Sequence, residues 1–241
     1  MTRGLDGLLV LDKPGGITSR EAVDQALRWF PRGTRIGHTG TLDPLATGVL
    51  VVCLGKATRL VEYVQAMSKT YRSRFRLGAT SDSDDADGTI SPVPDAPIPD
   101  RPTVEAALAR FVGTIEQVPP VYSAAKVTGQ RAYALARRGE EVQLRARPVQ
   151  VYAIRVLGYD PPDLDVEIDC GKGTYIRSLA RDVGAALGCG AYVATLRRTR
   201  VGPFHAEQAI ALDAERAEAR ARLLPPTDAL AELPRVVLPS A

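Results

Sequence analysis

The chain has 241 residues, 45% hydrophobic and 24% charged, with a formal net charge of +3, which excludes a low-complexity or fibrous polymer and fits a folded globular chain. Cys53, Cys170 and Cys189 have no metal-type spacing and cannot all pair, which excludes a disulfide scaffold and suits a reducing compartment, here the cytoplasm. No apolar run approaches the ~18 residues of a membrane span, and no basic segment leads into an apolar one at the N-terminus, so neither a span nor a signal peptide is expected.

In chain order, Leu8–Leu11 is a short apolar run stopped by Lys13-Pro14-Gly15-Gly16, hence a buried strand and a turn. Thr18 and Glu21 form a capping box, and Val23, Ala26, Leu27 and Phe30 follow at helical spacing, predicting a helix over Ser19–Phe30. The stretch Gly37–Leu50, GHTGTLDPLATGVL, then runs into an apolar strand, Val49–Leu54. It holds one Asp, one His and three Gly. Pro44 fixes its own φ and biases Asp43 away from helix, while the glycines permit sharp turns and close backbone approach. Asp43 is therefore expected on a rigid loop packed against a buried strand, although an Asp-Pro dipeptide by itself is more often only a turn. Ala57–Ala66 reads as a helix.

Thr70–Leu77 alternates. Tyr71, Ser73, Phe75 and Leu77 share a core-facing side, and Arg72, Arg74 and Arg76 share a cationic one. Ser81–Gly88, SDSDDADG, imitates a calcium loop. Counted from Ser83, however, Pro94 stands where the bidentate Glu is needed, so no metal is expected. Ser91–Pro102 reads as a surface connection and Thr103 as the cap of a helix through Val112, closed by Gly113. Gln130–Arg138 is predicted as a short basic helix and Arg147–Leu157 as a strand. Leu164, Val166, Ile168 and Cys170 alternate with acids as another strand. Thr174 is expected to cap a helix with Ile176, Leu179, Ala180, Val183 and Leu187 as its buried stripe. That places Tyr175 and Arg177 in the first turn, where an anion is favoured. Ala191–Arg200 is a strand edged with arginines, Asp213–Leu223 a charged helix, and Pro225–Ala241 a short tail.

Charge is unevenly spread. Residues 121–155, with Lys126 and Arg131 among their cations, carry +5, and residues 172–200 carry +5, whereas residues 82–116 carry −6. Two basic blocks are what a polyphosphate groove needs if the fold brings them to one face.

Six stretches together resemble one family. GHTGTLDPLATGVL is similar to the catalytic motif of the bacterial tRNA pseudouridine-55 synthases of the TruB type. LDKPGGITS (Leu11–Ser19) resembles their N-terminal motif, and KTYRSRFRLG (Lys69–Gly78) their tyrosine motif. PPVYSAAKVTGQRAYALARRG (Pro119–Gly139) resembles their RNA-clasping insertion. KGTYIRSLARDVG (Lys172–Gly184) and LRRTRVGPF (Leu196–Phe204) resemble their arginine and leucine motifs. The match covers about residues 5–205 in the family's order.

The resemblance implies a mixed α/β (α+β) fold with a largely antiparallel sheet, flanked by helices and RNA-binding loops around a central cleft. It implies a catalytic domain over residues 1–224 with the insertion at about 119–150. Residues 225–241 would be a short tail, too short for the complete PUA module that family members commonly carry. The implied activity is isomerisation of uridine 55 in the T stem-loop of tRNA by base flipping, with Asp43 as nucleophile, Tyr71 stacking on the uracil and assisting proton removal, and Arg177 keeping Asp43 ionised. His38 would stand in the space left by flipped bases, Tyr175 line the pocket, and Leu196 form its apolar wall. Asp85 would face RNA, and Lys13 would be structural or near phosphate. Because the isomerisation is redox-neutral and loses no group, no cofactor or metal is implied. The partner is tRNA, with no membrane and no obligate protein partner, and a monomer is expected. Two other readings stay open: a non-catalytic tRNA-folding chaperone, and a hydrolase using Asp43. The hydrolase lacks a second carboxylate, His or metal set beside that residue.

Overall fold

The computed structural model describes residues 5–123, 126–127, 130–131, 138 and 144–234. The chain divides into two compact units, Met1–Lys69 with Arg198–Ala241, and Thr70–Arg197. Both are mixed α/β. Among the described residues no helix is long and apolar enough to cross a membrane.

The first unit opens with β1 (Gly7–Lys13), then α1 (Ser19–Leu27), β2 (Ile36–His38) and β3 (Thr47–Leu54). β1 runs antiparallel to β3 from Gly7 opposite Leu54 to Lys13 opposite Gly48. β2 runs antiparallel to β3 from Ile36 opposite Leu54 to His38 opposite Val52. The capping box is present, with Thr18 Oγ1 accepting from the Glu21 N–H and Glu21 accepting from the Thr18 N–H. The helix expected over Ala57–Ala66 is two pieces, a 3-10 turn over Gly55–Leu60 and α2 (Val61–Ala66). The Thr58 hydroxyl donates to the Gly55 carbonyl at 2.7 Å and keeps the first piece tight.

The second unit contains β4 (Lys69–Leu77), β5 (Ala79–Ser81), β6 (Ile90–Pro92), α3 (Arg101–Ala109), β7 (Gly113–Gln117), β8 (Lys126–Val127), β9 (Gln130–Arg131), β10 (Arg147–Asp160), β11 (Asp163–Cys170), α4 (Ile176–Ala186) and most of β12 (Ala191–Val201). Its strands lie in the order β4, β11, β10, β7, with β10 antiparallel to both neighbours. β5 and β6 are an antiparallel hairpin around the acidic loop. The chain returns to the first unit with β13 (Phe204–His205), β14 (Ile210–Ala211), parallel to β1, and α5 (Arg216–Ala221).

Four expectations change. α3 is capped by Asp100, whose carboxylate accepts the Thr103 N–H at 2.9 Å, and not by Thr103 itself. The N-cap of α4 is Tyr175, because the Thr174 hydroxyl turns back to the Gly171 carbonyl at 3.1 Å. Gln130 and Arg131, the first two residues of the expected basic helix, form a two-residue strand against Lys126–Val127. The remainder of that segment, Arg138 apart, lies outside the described residues, as do the side chains of Lys126 and Arg131. The C-terminal charged helix is short, Arg216–Ala221.

The first unit's core joins Leu8 and Val10 to Val49, Val51 and Cys53, with Val64, Met67, Val201, Phe204 and Ala229. Ala229, on the short 3-10 turn Pro226–Leu230, belongs to the segment expected as a tail, so that turn packs on this core. Burial pushes the Cys53 thiol up to about 11, leaving it an apolar filler at neutral pH. In the second unit β4 buries Tyr71, Ser73, Phe75 and Leu77 and exposes Arg72, Arg74 and Arg76, as the alternation predicts.

Candidate active site

In the first unit the site is the loop between β2 and β3. Asp43 is half-buried, and its carbonyl accepts the Ala46 N–H at 3.1 Å, making the expected Asp-Pro turn. What distinguishes this turn is how many groups hold it. The Lys13 side chain is fully buried, and its ammonium donates to the carbonyls of Pro14 at 2.8 Å, Ile17 at 2.7 Å and Pro44 at 3.3 Å. The Gly16 N–H also donates to the Pro44 carbonyl, at 2.9 Å. Ser19, in the first turn of α1, exchanges two bonds with Leu42: its hydroxyl donates to the carbonyl at 2.9 Å and accepts the N–H at 2.8 Å. Arg198, 3% exposed, donates from Nε to the Val49 carbonyl at 2.7 Å and from Nη2 to the Gly40 carbonyl at 3.1 Å.

Asp43 thus sits on a loop fixed on both flanks by buried charged or hydroxyl groups. Such groups satisfy loop carbonyls that would otherwise be buried without partners. Gly48 closes the loop at φ +99°, and a Cβ there would lie 2.2 Å from the Arg198 carbonyl oxygen. Only glycine fits this approach. His38, half-buried on β2, precedes Thr39, whose N–H and hydroxyl both donate to the Val51 carbonyl, at 2.9 and 3.1 Å.

In the second unit Tyr71 and Leu196 are buried on β4 and β12. The Tyr175 backbone is gripped by the side-chain amide of Gln117. Its N–H donates to Oε1 at 2.8 Å, and its carbonyl accepts from Nε2 at 3.1 Å. The Arg147 guanidinium lies 5.2 Å from the centre of the Tyr175 ring, within cation–π range. Arg177 is buried in the first turn of α4. It lies 3.4 Å from the Asp85 carboxylate and donates to the carbonyls of Ser83 and Tyr122, each at 2.9 Å.

Asp85 accepts from the Ser83 hydroxyl at 2.6 Å and the Asp87 N–H at 3.1 Å. With 4% exposure, it is turned inward to Arg177 and not outward to face RNA. Its neighbour Asp84 pairs with Arg181 at 2.8 Å. Burial raises the Asp84 pKa from its ordinary value, against the pull of Arg181 and then Arg177.

Several residues that organise the site carry no chemical signature in the sequence. Ser19, Gln117 and Arg198 act through backbone groups distant in the chain. The second basic block is also less available than its count suggests, since Arg177 and Arg198 are buried and Arg181 is paired.

Residues 28–176 match the model of the TruB family pseudouridylate synthase N-terminal domain. Residues 177–240 match that of the tRNA pseudouridylate synthase B C-terminal domain. The chain is 49% identical to a tRNA pseudouridine synthase B of Xanthomonas euvesicatoria pv. vesicatoria, over 98% of this chain and 78% of that one. It is 47% identical to the protein of that name from Chromohalobacter salexigens, over 95% and 76%. Among solved structures it resembles a chain of a Cbf5–Nop10–Gar1 complex, with TM-score 0.71 and 32% identity, over 93% of this chain and 61% of that chain. It therefore spans about three-fifths of that structure's chain. On these matches and on the motifs that build the loop around Asp43, the chain belongs to the TruB family of pseudouridylate synthases.

Proposed function

We propose that this chain converts uridine to pseudouridine in tRNA, at position 55 of the T stem-loop, with Asp43 as nucleophile. The observation that carries this reading is the rigid mounting of Asp43 by Lys13, Gly16, Ser19 and Arg198. A carboxylate that must attack and then leave needs a fixed position more than it needs a partner acid. The isomerisation breaks the N1–C1′ bond and forms C5–C1′. The C5 proton departs and N1 gains one, so atoms and electrons balance without an added reactant. Asp43 attacks either the base or the ribose.

Asp43 has to remain ionised while RNA excludes water from it. Desolvation raises a carboxylate pKa, and a nearby cation opposes this. Arg177 is the residue assigned that task. Tyr71 stacks on the extruded uracil, an interaction worth about 1–3 kcal/mol, and assists loss of the C5 proton. Tyr175 and Leu196 line the base, and His38 occupies the space the flipped bases vacate. Lys126 and Arg131 belong to the insertion that clasps RNA. Asp85 contributes by holding Arg177, and Lys13 by holding the Asp43 loop. Residues 1–224 act as the catalytic domain, with the insertion at about 119–150, and the chain works as a cytoplasmic monomer without a cofactor.

The test is tritium release from C5-labelled uridine in an unmodified tRNA transcript. The wild-type chain is expected to release tritium. Asp43→Asn is expected to bind the transcript and release none. Turnover by the variant would remove Asp43 from the role, and no release by wild type would remove the activity. Light scattering of the protein with and without tRNA tests the monomer.

A further inference from the structure

Outside the loop around Asp43, the first unit contains a half-open cavity of about 590 Å³ whose lining includes Arg32, Arg35, Lys56, Arg59 and Arg220, with Asp6 as its acid. Asp6 sets one negative charge against five cations and forms an ion pair with none of them. Its Oδ1 accepts the Lys56 backbone N–H at 2.8 Å. It packs so closely on Gly55, at φ +57°, that a Cβ there would lie 2.1 Å from the same oxygen. Asp6 therefore fixes the turn that carries Lys56 and Arg59. Arg220 is held from its Nε to the Trp29 carbonyl at 3.0 Å.

Arg32, Arg35, Lys56 and Arg59 are all exposed, and no side-chain hydrogen bond or ion pair joins them to any described residue. Several arginines elsewhere are paired. Arg20, Arg72, Arg74, Arg76, Arg101, Arg155 and Arg181 each have a carboxylate within 3.0 Å. Four uncompensated cations around one concavity repel each other and focus a positive potential into it. Lone anions too small to span the cavity would leave most of that charge unanswered, whereas successive phosphates of one strand would meet several cations together.

We infer that this cavity is a phosphodiester-binding site that grips a backbone segment of the RNA substrate away from the reacting uridine. The inference rests on the tRNA reading above for its partner and extends it to a second point of attachment. Affinity there comes from counterion release, so it should show as salt dependence.

The test compares two triple variants of the full chain. Arg32→Gln, Lys56→Gln and Arg59→Gln remove three of the five cations that line the cavity, keeping Arg35, which leads into β2, and Arg220. Arg20→Gln, Arg101→Gln and Arg110→Gln remove the same charge elsewhere. Binding of a tRNA transcript is measured from low to high salt. The cavity triple should bind about tenfold more weakly at physiological salt, and its log Kd against log salt should be shallower by about one for each phosphate it no longer neutralises. Its KM for tRNA should rise while kcat holds. The control triple should keep the wild-type slope. Equal slopes for the two triples would overturn the inference, as would tight binding of inorganic phosphate in the cavity with the RNA slope unchanged. If wild type binds RNA with the predicted slopes but releases no tritium, the activity fails and the site stands. If wild type turns over and the slopes match, only the site fails.

Discussion

The Lys13 ammonium reaches 31 residues along the chain to the carbonyl of Pro44, the residue after the proposed nucleophile, at 3.3 Å. The same nitrogen holds the Pro14 and Ile17 carbonyls, so one buried cation joins the turn after β1 to the loop before β3. Replacing it with Met keeps the length and removes three donors. An orphaned buried acceptor costs about 1–3 kcal/mol. We expect Lys13→Met to lose about 2–4 kcal/mol in urea unfolding, and kcat to fall with little change in tRNA Kd. A variant with normal kcat would show that the loop does not need this clasp.

Gly48 and Arg198 give a second test of the loop. A methyl group at 48 would strike the Arg198 carbonyl at 2.2 Å, on a backbone already at φ +99°. Backbone cannot give way as a side-chain tip can. Gly48→Ala should cost about 3 kcal/mol or more and lower activity beyond the loss of folded protein. Thermal unfolding and tritium release on the same preparation separate the two effects. An unchanged melting temperature would refute the close approach.

Much of the fold is legible in sequence, and the gaps have a common cause. The alternation of Thr70–Leu77 gives the buried and exposed faces of β4 directly, because a strand's period needs only local information. It also suggests a cationic face, but not what that face meets. Arg72, Arg74 and Arg76 lie opposite Glu167, Asp165 and Asp163 of β11, at 2.9, 2.8 and 2.6 Å. Both charge rows are visible in sequence, but which strands become neighbours is not. The same holds for Ser19 with Leu42 and Gln117 with Tyr175, where a side chain completes a distant backbone. Asp85 escapes a sequence reading because an acid in a Gly-Asp-Ser loop ordinarily faces water, and its burial depends on Arg177, 92 residues later.

That buried pair makes its own prediction. Asp85 and Arg177 lie 3.4 Å apart with their side chains almost sealed from water. Breaking a buried pair by removing one partner costs about 3–5 kcal/mol, because the other charge is left uncompensated. Asp85→Asn and Arg177→Met should each destabilise by an amount in that range. The double variant should lose clearly less than the sum, since it no longer buries a lone charge. Additive losses would mean that the two residues do not depend on each other. Asp85→Asn should also lower activity through Arg177.

The arginine–acid ladder on β4 and β11 sets the acid limb of stability. A hydrogen bond from Arg74 holds the Asp165 carboxyl below its ordinary pKa, and one from Arg72 does the same, with Arg155, for Glu167. A depressed folded-state pKa contributes stability that is present above the unfolded value, near 4, and is lost as pH falls through the folded one. These groups are partly exposed, so solvent and salt screen the gain, and each pair is worth about 0–1 kcal/mol. Arg74→Gln should therefore weaken the chain only slightly at pH 7, and the difference should shrink as pH falls below the unfolded value near 4. High salt should erase the difference. A variant effect that stays constant as pH falls would show that Arg74 stabilises by packing and not by charge.

Cys53 governs the opposite limb. Its thiol is sealed in the core of the first unit, and burial pushes its pKa from 9.0 up to about 11. Below 9 both folded and unfolded chains carry the thiol proton and the group is silent. Between 9 and 11 the unfolded chain releases that proton while the folded chain keeps it, so stability falls as pH rises, by about 1.4 kcal/mol per pH unit. Cys53→Val removes the titration and retains an apolar side chain. It should be somewhat less stable than wild type at pH 8, through imperfect packing, and should close that gap by about 2 kcal/mol at pH 10.5. Lysines and tyrosines titrate equally in both proteins and cancel in the comparison. Urea unfolding of the two at each pH measures it. Parallel pH profiles would mean that water reaches the thiol, and that the core around Val51 and Phe204 opens far below the energy of global unfolding.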